Sequence, residues 1–177
     1  DTQYNKQIEE VINPLALNLY TLGYDANTNV TQLNSAVKRN IKTYIDRYRM
    51  LTDAINILDA HIINIGVKFE IITFPQYNKN EVLLRCIDTL TGFFNIKNWQ
   101  INQPIIISDV MNELLKVEGV RNVNDVQIFN RYLASEGYSG NLYSIKAATK
   151  NGVVFPSLDP SIFSLKYPSK DILGQAR

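Results

Sequence analysis

Residues 62–71 read IINIGVKFEI, and this stretch decides the fold of the chain. Its apolar residues alternate with polar or small ones such as Asn64, Lys68 and Glu70. A period of two is typical of a β-strand with one buried face and one face in water. Residues 54–59 also alternate and predict a short strand before it. We therefore expect a sheet built around residues 62–71.

Two amphipathic helices follow this strand in the sequence. Asn80 is placed to cap the first helix, which begins to unwind near Gly92, and Ser108 is placed to cap the second, which stops at Gly119. Residues 120–129 then return as a strand. The order strand, helix, helix, strand predicts an α+β fold, in which two helices cover one face of a small sheet.

The segments on either side of this core carry different patterns. Residues 4–20 have apolar residues at helical spacing, interrupted by Pro14, and residues 31–47 predict a longer amphipathic helix. After residue 131, glycines and prolines break up short apolar runs, which predicts a hairpin turning at Asn151-Gly152 and then an extended arm.

These patterns predict three segments. Residues 1–50 form a helical segment, and residues 51–131 form the α+β core domain. Residues 132–177 form a C-terminal hairpin and a proline-containing arm that packs on the core or on a neighbour. Because the chain starts at Asp1 and not at a methionine, we expect it to be part of a larger parent protein.

Composition limits the classes of function. A hydrophobic content of 45% with 20% charged residues is ordinary for a folded globular protein. Eighteen basic residues against 17 acidic ones give no net attraction to phosphate, so we expect no nucleic-acid partner. No apolar run approaches the roughly 18–20 residues that cross a bilayer, so we expect neither a membrane span nor a signal peptide.

The sequence contains no recognisable catalytic or metal-binding motif. His61 is the only histidine and Cys86 the only cysteine, so a Cys/His zinc site and an internal disulfide are excluded. Cys86 lies on the apolar face of its helix, where a thiol behaves as a small hydrophobe. We therefore predict no enzyme activity, no cofactor and no small-molecule substrate.

One alternative follows from the predicted fold. Small sheets covered by two helices also occur in RNA-binding modules, which stack bases on aromatic residues of the sheet. Here Phe69 shares the apolar face of its strand with the other core residues, and the opposite face carries Glu70. A nucleic-acid-binding α+β module is therefore the less favoured reading.

Aromatic residues outside the core pattern indicate a protein interface. Exposed aromatics on irregular backbone are typical of such interfaces, although these residues also have the option of packing the arm onto its own domain. The candidate interface residues are Phe93, Phe94, Trp99, Phe155, Phe163 and Tyr167. Of these, we expect Phe155, Phe163 and Tyr167 to anchor the arm.

The central part of the chain resembles a known family. Residues 48–71 (YRMLTDAINILDAHIINIGVKFEI), 80–95 (NEVLLRCIDTLTGFFN) and 105–128 (IIISDVMNELLKVEGVRNVNDVQI) resemble, in order and spacing, the C-terminal part of baseplate J-like proteins of contractile phage tails. Residues 151–177 are similar to the ending of the wedge proteins of T-even-like phages. The resemblance covers roughly residues 40–177.

The resemblance implies a structural role in the virion. Members of this family form the inter-wedge ring of the tail baseplate, and copies are linked through self-contacts into a ring around the tail tube. For this chain it implies a homodimer or ring partner of its own kind, other baseplate wedge proteins as further partners, and assembly in the host cytoplasm. It implies no active site.

Overall fold

The computed structural model describes residues 16–48 and 54–177. Helices and small sheets are mixed along the chain, so the predicted α+β class is confirmed. The described chain divides into two compact units, residues 16–23 with 32–48 and 54–59, and residues 24–31 with 60–177. The predicted boundary after residue 50 separates residues 55–59 from the first unit, to which they belong, and the predicted boundary at residue 131 lies inside the second.

The described residues form eleven β-strands and five α-helices. In chain order these are β1 (Leu17–Thr21), β2 (Gly23–Tyr24), β3 (Val30–Thr31), α1 (Ser35–Ile45), β4 (Ile55–Asp59), β5 (His61–Thr73), α2 (Lys79–Phe93), β6 (Ile105–Ile106), α3 (Ile107–Leu115), β7 (Val120–Asn130), α4 (Ile145–Ala148), β8 (Thr149–Lys150), β9 (Val153–Val154), β10 (Ser161–Ser164), α5 (Pro168–Asp171) and β11 (Ile172–Ala176).

The first unit is a parallel strand pair with one helix in the connection. β1 and β4 pair in parallel, with Leu17 beside Ile55 at one end of the ladder. The helix α1 begins after Asn34, whose side chain accepts a hydrogen bond from the Val37 N–H at 2.8 Å. An ion pair of 2.6 Å between Lys38 Nζ and Asp59 Oδ2 ties α1 to β4.

The strand β1 corrects the prediction for the start of the chain. A helix through residue 20 is wrong for Leu17–Thr21, which is extended. Leu15, Leu17 and Leu19 also follow a period of two, and a parallel ladder with β4 satisfies the backbone there. The part of the predicted helical segment that precedes residue 16, including Pro14, lies outside the described residues.

The sheet of the second unit is built around β5. On one side β5 pairs with the antiparallel β7, and two β-bulges interrupt the register near its C-terminal end. On the other side lie two short parallel strands, β10 beside the first part of β5 and β11 beside its last part. The long alternating strand therefore has neighbours on both sides, as a central strand of a mixed sheet requires.

The proline-containing arm is part of this sheet and is not an extended appendage. Ser161–Ser164 and Ile172–Ala176 supply main-chain groups to the second edge of β5, which would otherwise be unpaired. The prolines stand outside both strands, and Pro168 occupies the first turn of α5, where its missing N–H costs nothing. The predicted turn at Asn151-Gly152 is present and joins β8 to β9.

The core lies between the sheet and the helices α2 and α3. From β5, Ile65, Val67, Phe69 and Ile71 are almost fully buried. The helices and strands add the buried residues Val82, Cys86, Leu90, Val110, Leu114, Val123 and Val126. β5, α2, α3 and β7 follow one another in the order expected from the sequence, with the short β6 between the helices.

The helix starts differ from those expected. Asn78, and not Asn80, caps α2, because the Asn78 side chain accepts a hydrogen bond from the Asn80 N–H at 3.0 Å. α3 begins at Ile107, one residue before Ser108, and no side chain caps it. Its first N–H, that of Ile107, instead donates to the carbonyl of Gly152 at 2.9 Å.

Candidate interaction surfaces

Three of the six predicted interface aromatics lie together at the end of α2. The rings of Phe94 and Trp99 stack with their centroids 5.5 Å apart, and Phe93 packs edge-on against both. The Trp99 indole N–H donates to the Phe93 carbonyl at 3.1 Å. Phe94 is buried and the other two rings are half-buried. The cluster therefore packs mainly against its own domain, where it fixes the crossover between α2 and α3.

The other three predicted aromatics lie in different environments. Phe163 is 3% exposed in β10 and packs against Tyr143, so its ring is part of the core and is not available to a partner. Tyr167 is half-buried and packs edge-on against Tyr138, with ring centroids 5.5 Å apart. Phe155 is 47% exposed. Of the six candidates, Phe155 alone is classed as exposed.

A hydrogen-bonded loop presents a leucine that the sequence analysis missed. Leu158, between β9 and β10, is fully exposed. The Ser157 N–H donates to Ser161 Oγ at 3.1 Å, and the Asp159 N–H donates to Ser157 Oγ at 3.2 Å. A loop already fixed in this way loses little entropy when it docks. The signal in the sequence is an apolar residue inside the turn sequence PSLDP, whereas the interface prediction rests on aromatic residues alone.

A buried carboxylate holds the C-terminal segment onto the second unit. Asp171 is fully buried, and it accepts hydrogen bonds from the Tyr138 hydroxyl at 2.6 Å and from the Tyr167 N–H at 2.9 Å. Arg131 Nε lies 3.4 Å from Asp171 Oδ1 and balances its charge. Burial, and then the hydrogen bond to Asp171, raise the pKa of Tyr138 to about 12. We call this group of residues the Asp171 clamp.

The first unit exposes several large apolar side chains. None of its described residues, 16–23, 32–48 and 54–59, is buried. Leu17 is 69% exposed, Val37 40%, Tyr44 61% and Tyr48 74%. Parallel strands normally have both faces covered, because their side chains are apolar on both sides. The described part of this unit therefore has the surface of an incomplete fold.

The open face of the second unit's sheet is mainly polar around Lys68 and Glu70, although the 46% exposed Leu173 lies beside Lys68. Around Lys68 and Glu70 the neighbouring strands place Gln127, Asp125 and Gln175. Glu70 thus faces the like charge of Asp125, and contacts with Arg177 and Asn124 offset the repulsion. Carboxylates repel phosphate, whereas Lys68 and Arg177 attract it, so the charges around Glu70 give no net attraction to phosphate.

The aromatic next along this face does not offer a free stacking surface. Phe129 lies opposite Gly66 in the register, and it packs so closely that a Cβ added at Gly66 would meet its ring at 2.4 Å. The Arg131 guanidinium covers the Phe129 ring at 5.0 Å. The base-stacking platform of sheet-type RNA-binding modules is therefore not present at Phe129.

The only histidine and the only cysteine of the chain, His61 and Cys86, lie in different environments. His61 is exposed at the start of β5, and Cys86 is fully buried in α2, where burial raises the pKa of its thiol to about 11. Within residues 16–48 and 54–177, no cluster of three or more His, Cys, Asp or Glu side chains is arranged to hold a metal ion. In the same part of the chain, no helix has the length and apolar character to span a membrane.

Comparison with known proteins adds no family to these observations. No protein-family model matches the chain, and no curated protein compared with it matches either.

Proposed function

We propose that this chain is a structural module of a contractile phage tail baseplate, and that it links wedges into a ring by binding other protein chains through its first unit. Its role is mechanical and not catalytic. One partner is a second copy of the same chain, which covers the open strand pair β1–β4, and other wedge proteins bind elsewhere on the module.

The observation that carries this proposal is the absence of buried residues in the described part of the first unit. A two-stranded sheet is marginal in water at best, and a parallel pair is slightly weaker per residue than an antiparallel one. An apolar strand face such as that of Leu17 gains stability when another chain removes it from water. A partner that covers this face would therefore stabilise the described part of the unit.

The second unit has the properties of a rigid support. Its central strand β5 has hydrogen-bonded neighbours along both edges, and the Asp171 clamp fixes the last segment to the rest of the domain. A rigid body of this kind transmits strain through a ring without unfolding. The exposed Leu158, on its hydrogen-bonded loop, provides a further contact point for a neighbouring wedge protein.

The assignment to a baseplate rests on the sequence resemblance to baseplate J-like proteins. The nucleic-acid-binding alternative is not favoured by the sheet of the second unit, whose open face pairs carboxylates and lacks a free stacking surface. The structural role therefore remains the better supported of the two.

Solution mass tests the proposal. Size-exclusion chromatography with light scattering should give a mass that rises above the 20.2 kDa of one chain as concentration increases. Leu17→Asp should shift the association to at least tenfold higher concentration. Leu84→Asp is the matched control, since Leu84 is 62% exposed on α2 of the other unit, and it should leave association unchanged. A mass of 20.2 kDa at every concentration would contradict self-association.

A further inference from the structure

The turn between β8 and β9 contains the only Asn-Gly pair of the chain, Asn151-Gly152. Lys150 and Val153 pair across it, and both turn residues have positive φ, 52° for Asn151 and 76° for Gly152. This is the backbone of a two-residue hairpin turn of type I′, in which asparagine followed by glycine is favoured. The pair suits the turn, and it also places a reactive amide next to an unhindered nitrogen.

The chemistry of this pair is a self-modification that consumes only water. The main-chain nitrogen of Gly152 attacks Cγ of Asn151, and the new N–Cγ bond closes a succinimide ring while the side-chain amide leaves, with the Gly152 amide proton, as ammonia. Water then opens the ring at one of its two carbonyls, which gives either aspartate or isoaspartate. Glycine has no Cβ to obstruct the attack. Asparagine is one of the thermolabile residues of proteins.

The surroundings of the turn leave both reacting groups accessible. Asn151 and Gly152 are exposed. Within residues 16–48 and 54–177, neither the Gly152 N–H nor the Asn151 side chain has a hydrogen-bond partner. A Cβ added at Gly152 would meet nothing within 4 Å, so the space beside it is open. The attacking nitrogen and the leaving amide are therefore both free.

Two other asparagines show what is special about Asn151. Asn34 precedes a small residue, Ser35, but its Oδ1 accepts a hydrogen bond from the Val37 N–H at 2.8 Å, and Ser35 is already the first residue of α1. Asn141 precedes a leucine, and its Nδ2 donates to the Ile62 carbonyl at 2.8 Å. In both cases the side chain is held, whereas that of Asn151 is not.

One hydrogen bond ties the turn to the start of α3. The Gly152 carbonyl accepts from the Ile107 N–H at 2.9 Å, and no side chain caps that helix. Closing the ring rotates the main chain of Asn151 out of its left-handed conformation and displaces Gly152. The contact with Ile107 opposes this displacement. The same hydrogen bond that completes the start of α3 therefore slows the attack.

We infer that Asn151 is a site of spontaneous deamidation, and that the hydrogen bond between Ile107 and Gly152 restrains the reaction in the folded chain. Isoaspartate lengthens the main chain of the turn by one carbon atom, so the two-residue turn and its contact with α3 are lost in that product. The inference does not depend on the proposed function, because it concerns the chemistry of one hairpin and not the binding of another chain.

Peptide mapping by mass spectrometry measures the reaction in the full chain, held in mildly alkaline buffer. Asn151 should convert at least tenfold faster than Asn34 or Asn141, and an isoaspartyl methyltransferase should label the product. In concentrated urea, which removes the contact with Ile107, Asn151 should convert at least threefold faster than in the folded chain.

Two substitutions of Ile107 separate its N–H from its side chain. Proline is tolerated at the first position of a helix, which Ile107 occupies, and Ile106 before it is extended, as a residue before proline requires. Ile107→Pro removes the donor to Gly152, and Ile107→Ala is the matched control that shortens the side chain but keeps the donor. Conversion of Asn151 should become at least threefold faster in Ile107→Pro and should stay within twofold of the parent chain in Ile107→Ala.

Three results would overturn the inference. Conversion of Asn151 at the rate of Asn141 would remove the modification site. Equal rates in the folded chain and in urea would remove the restraint, and this comparison holds even if Ile107→Pro does not fold. Equal rates in folded Ile107→Pro and Ile107→Ala would show that the hydrogen bond is not the restraint. Asn151→Gln, whose longer side chain closes the ring far more slowly, should abolish the methyltransferase label in the hairpin peptide.

Discussion

Removing one hydroxyl from the Asp171 clamp should destabilise the second unit by a measurable amount. In Tyr138→Phe, the buried carboxylate of Asp171 loses the hydrogen bond of 2.6 Å that its Oδ1 accepts, while its bond to the Tyr167 N–H remains. Hydrogen bonds to charged groups contribute about 1.5–3 kcal/mol to stability. Because Asp171 is fully buried and Tyr138 is 7% exposed, water cannot replace the lost donor. We expect a loss in the upper half of that range.

Urea unfolding followed by tryptophan fluorescence measures this loss. Trp99 is the only tryptophan and belongs to the second unit, so its signal reports on the domain that carries the clamp. The measurement should be made at a concentration where the chain is monomeric, because association shifts apparent stability. In Tyr138→Phe the urea concentration at the midpoint of unfolding should fall, while the slope of the unfolding free energy against urea concentration should stay unchanged.

A surface tyrosine supplies the control for this measurement. Tyr132 is 43% exposed, and Tyr132→Phe should change the free energy of unfolding by less than about 0.5 kcal/mol. If Tyr138→Phe also stayed within about 0.5 kcal/mol of the parent chain, the clamp would not stabilise the fold and the reasoning would be refuted.

Three further predictions follow from buried positions of the second unit. Gly174→Ala should cost about 1–3 kcal/mol in a urea titration, since its Cβ would lie 2.5 Å from the buried ring of Phe69. In Gly92→Ala, where nothing lies within 4 Å, stability should stay constant or rise by up to about 1 kcal/mol, and equal losses in both variants would contradict the packing. The buried Cys86 thiol should react with a disulfide reagent only as fast as the domain unfolds, and labelling at the rate of a free thiol would be inconsistent with its burial. The free energy of unfolding should fall as pH rises from about 10 to about 12, because the pKa of Tyr138 is near its ordinary value of 10 in the unfolded chain but about 12 in the folded one. The urea concentration at the midpoint of unfolding should decline less across this range in Tyr138→Phe than in the parent chain. An equal decline would contradict the assignment.

Local sequence patterns were sufficient for the parts of the fold that are long and strongly periodic. Within the thirteen residues of β5, apolar residues alternate with polar or small ones from Ile63 to Ile71, and the buried positions of α2 and α3 recur at four-residue steps. Such patterns record which side of a strand faces the core. The expectation that the other side of β5 lies in water is wrong for its first half, where Ile62 and Asn64 are also buried and the Asn64 side chain accepts a hydrogen bond from the Ser139 N–H.

The sequence patterns did not predict the short strands whose partners are distant in the chain. β10 has four residues and β11 has five, and each pairs with a strand about a hundred residues earlier in the chain. The prolines around them favour an extended arm when only the local sequence is read. The apolar residues of β1 fit both the period of two of a strand and the spacing of a helix. The pairing with β4, which is distant in the sequence, makes this segment a strand.

The candidate interface was predicted less well than the fold, for a related reason. An aromatic residue on irregular backbone has the same local sequence whether its ring is buried, as for Phe163, or exposed, as for Phe155. Which of the two holds depends on tertiary packing. The apolar side chains exposed on α1 were not selected, because an amphipathic pattern normally indicates a face that is covered within the same domain. Leu158 was not selected, because the interface prediction rested on aromatic residues.

The most direct test of the central claim is hydrogen exchange of the first unit's backbone amides at low and at high protein concentration. If other copies of the chain cover the strand pair, the amides of Leu17–Thr21 and Ile55–Asp59 should exchange at least tenfold more slowly in the concentrated sample. The amides of β5 in the second unit should exchange at the same rate in both. Unchanged exchange in β1 and β4, in a sample whose mass shows association, would place the contact elsewhere and contradict the account.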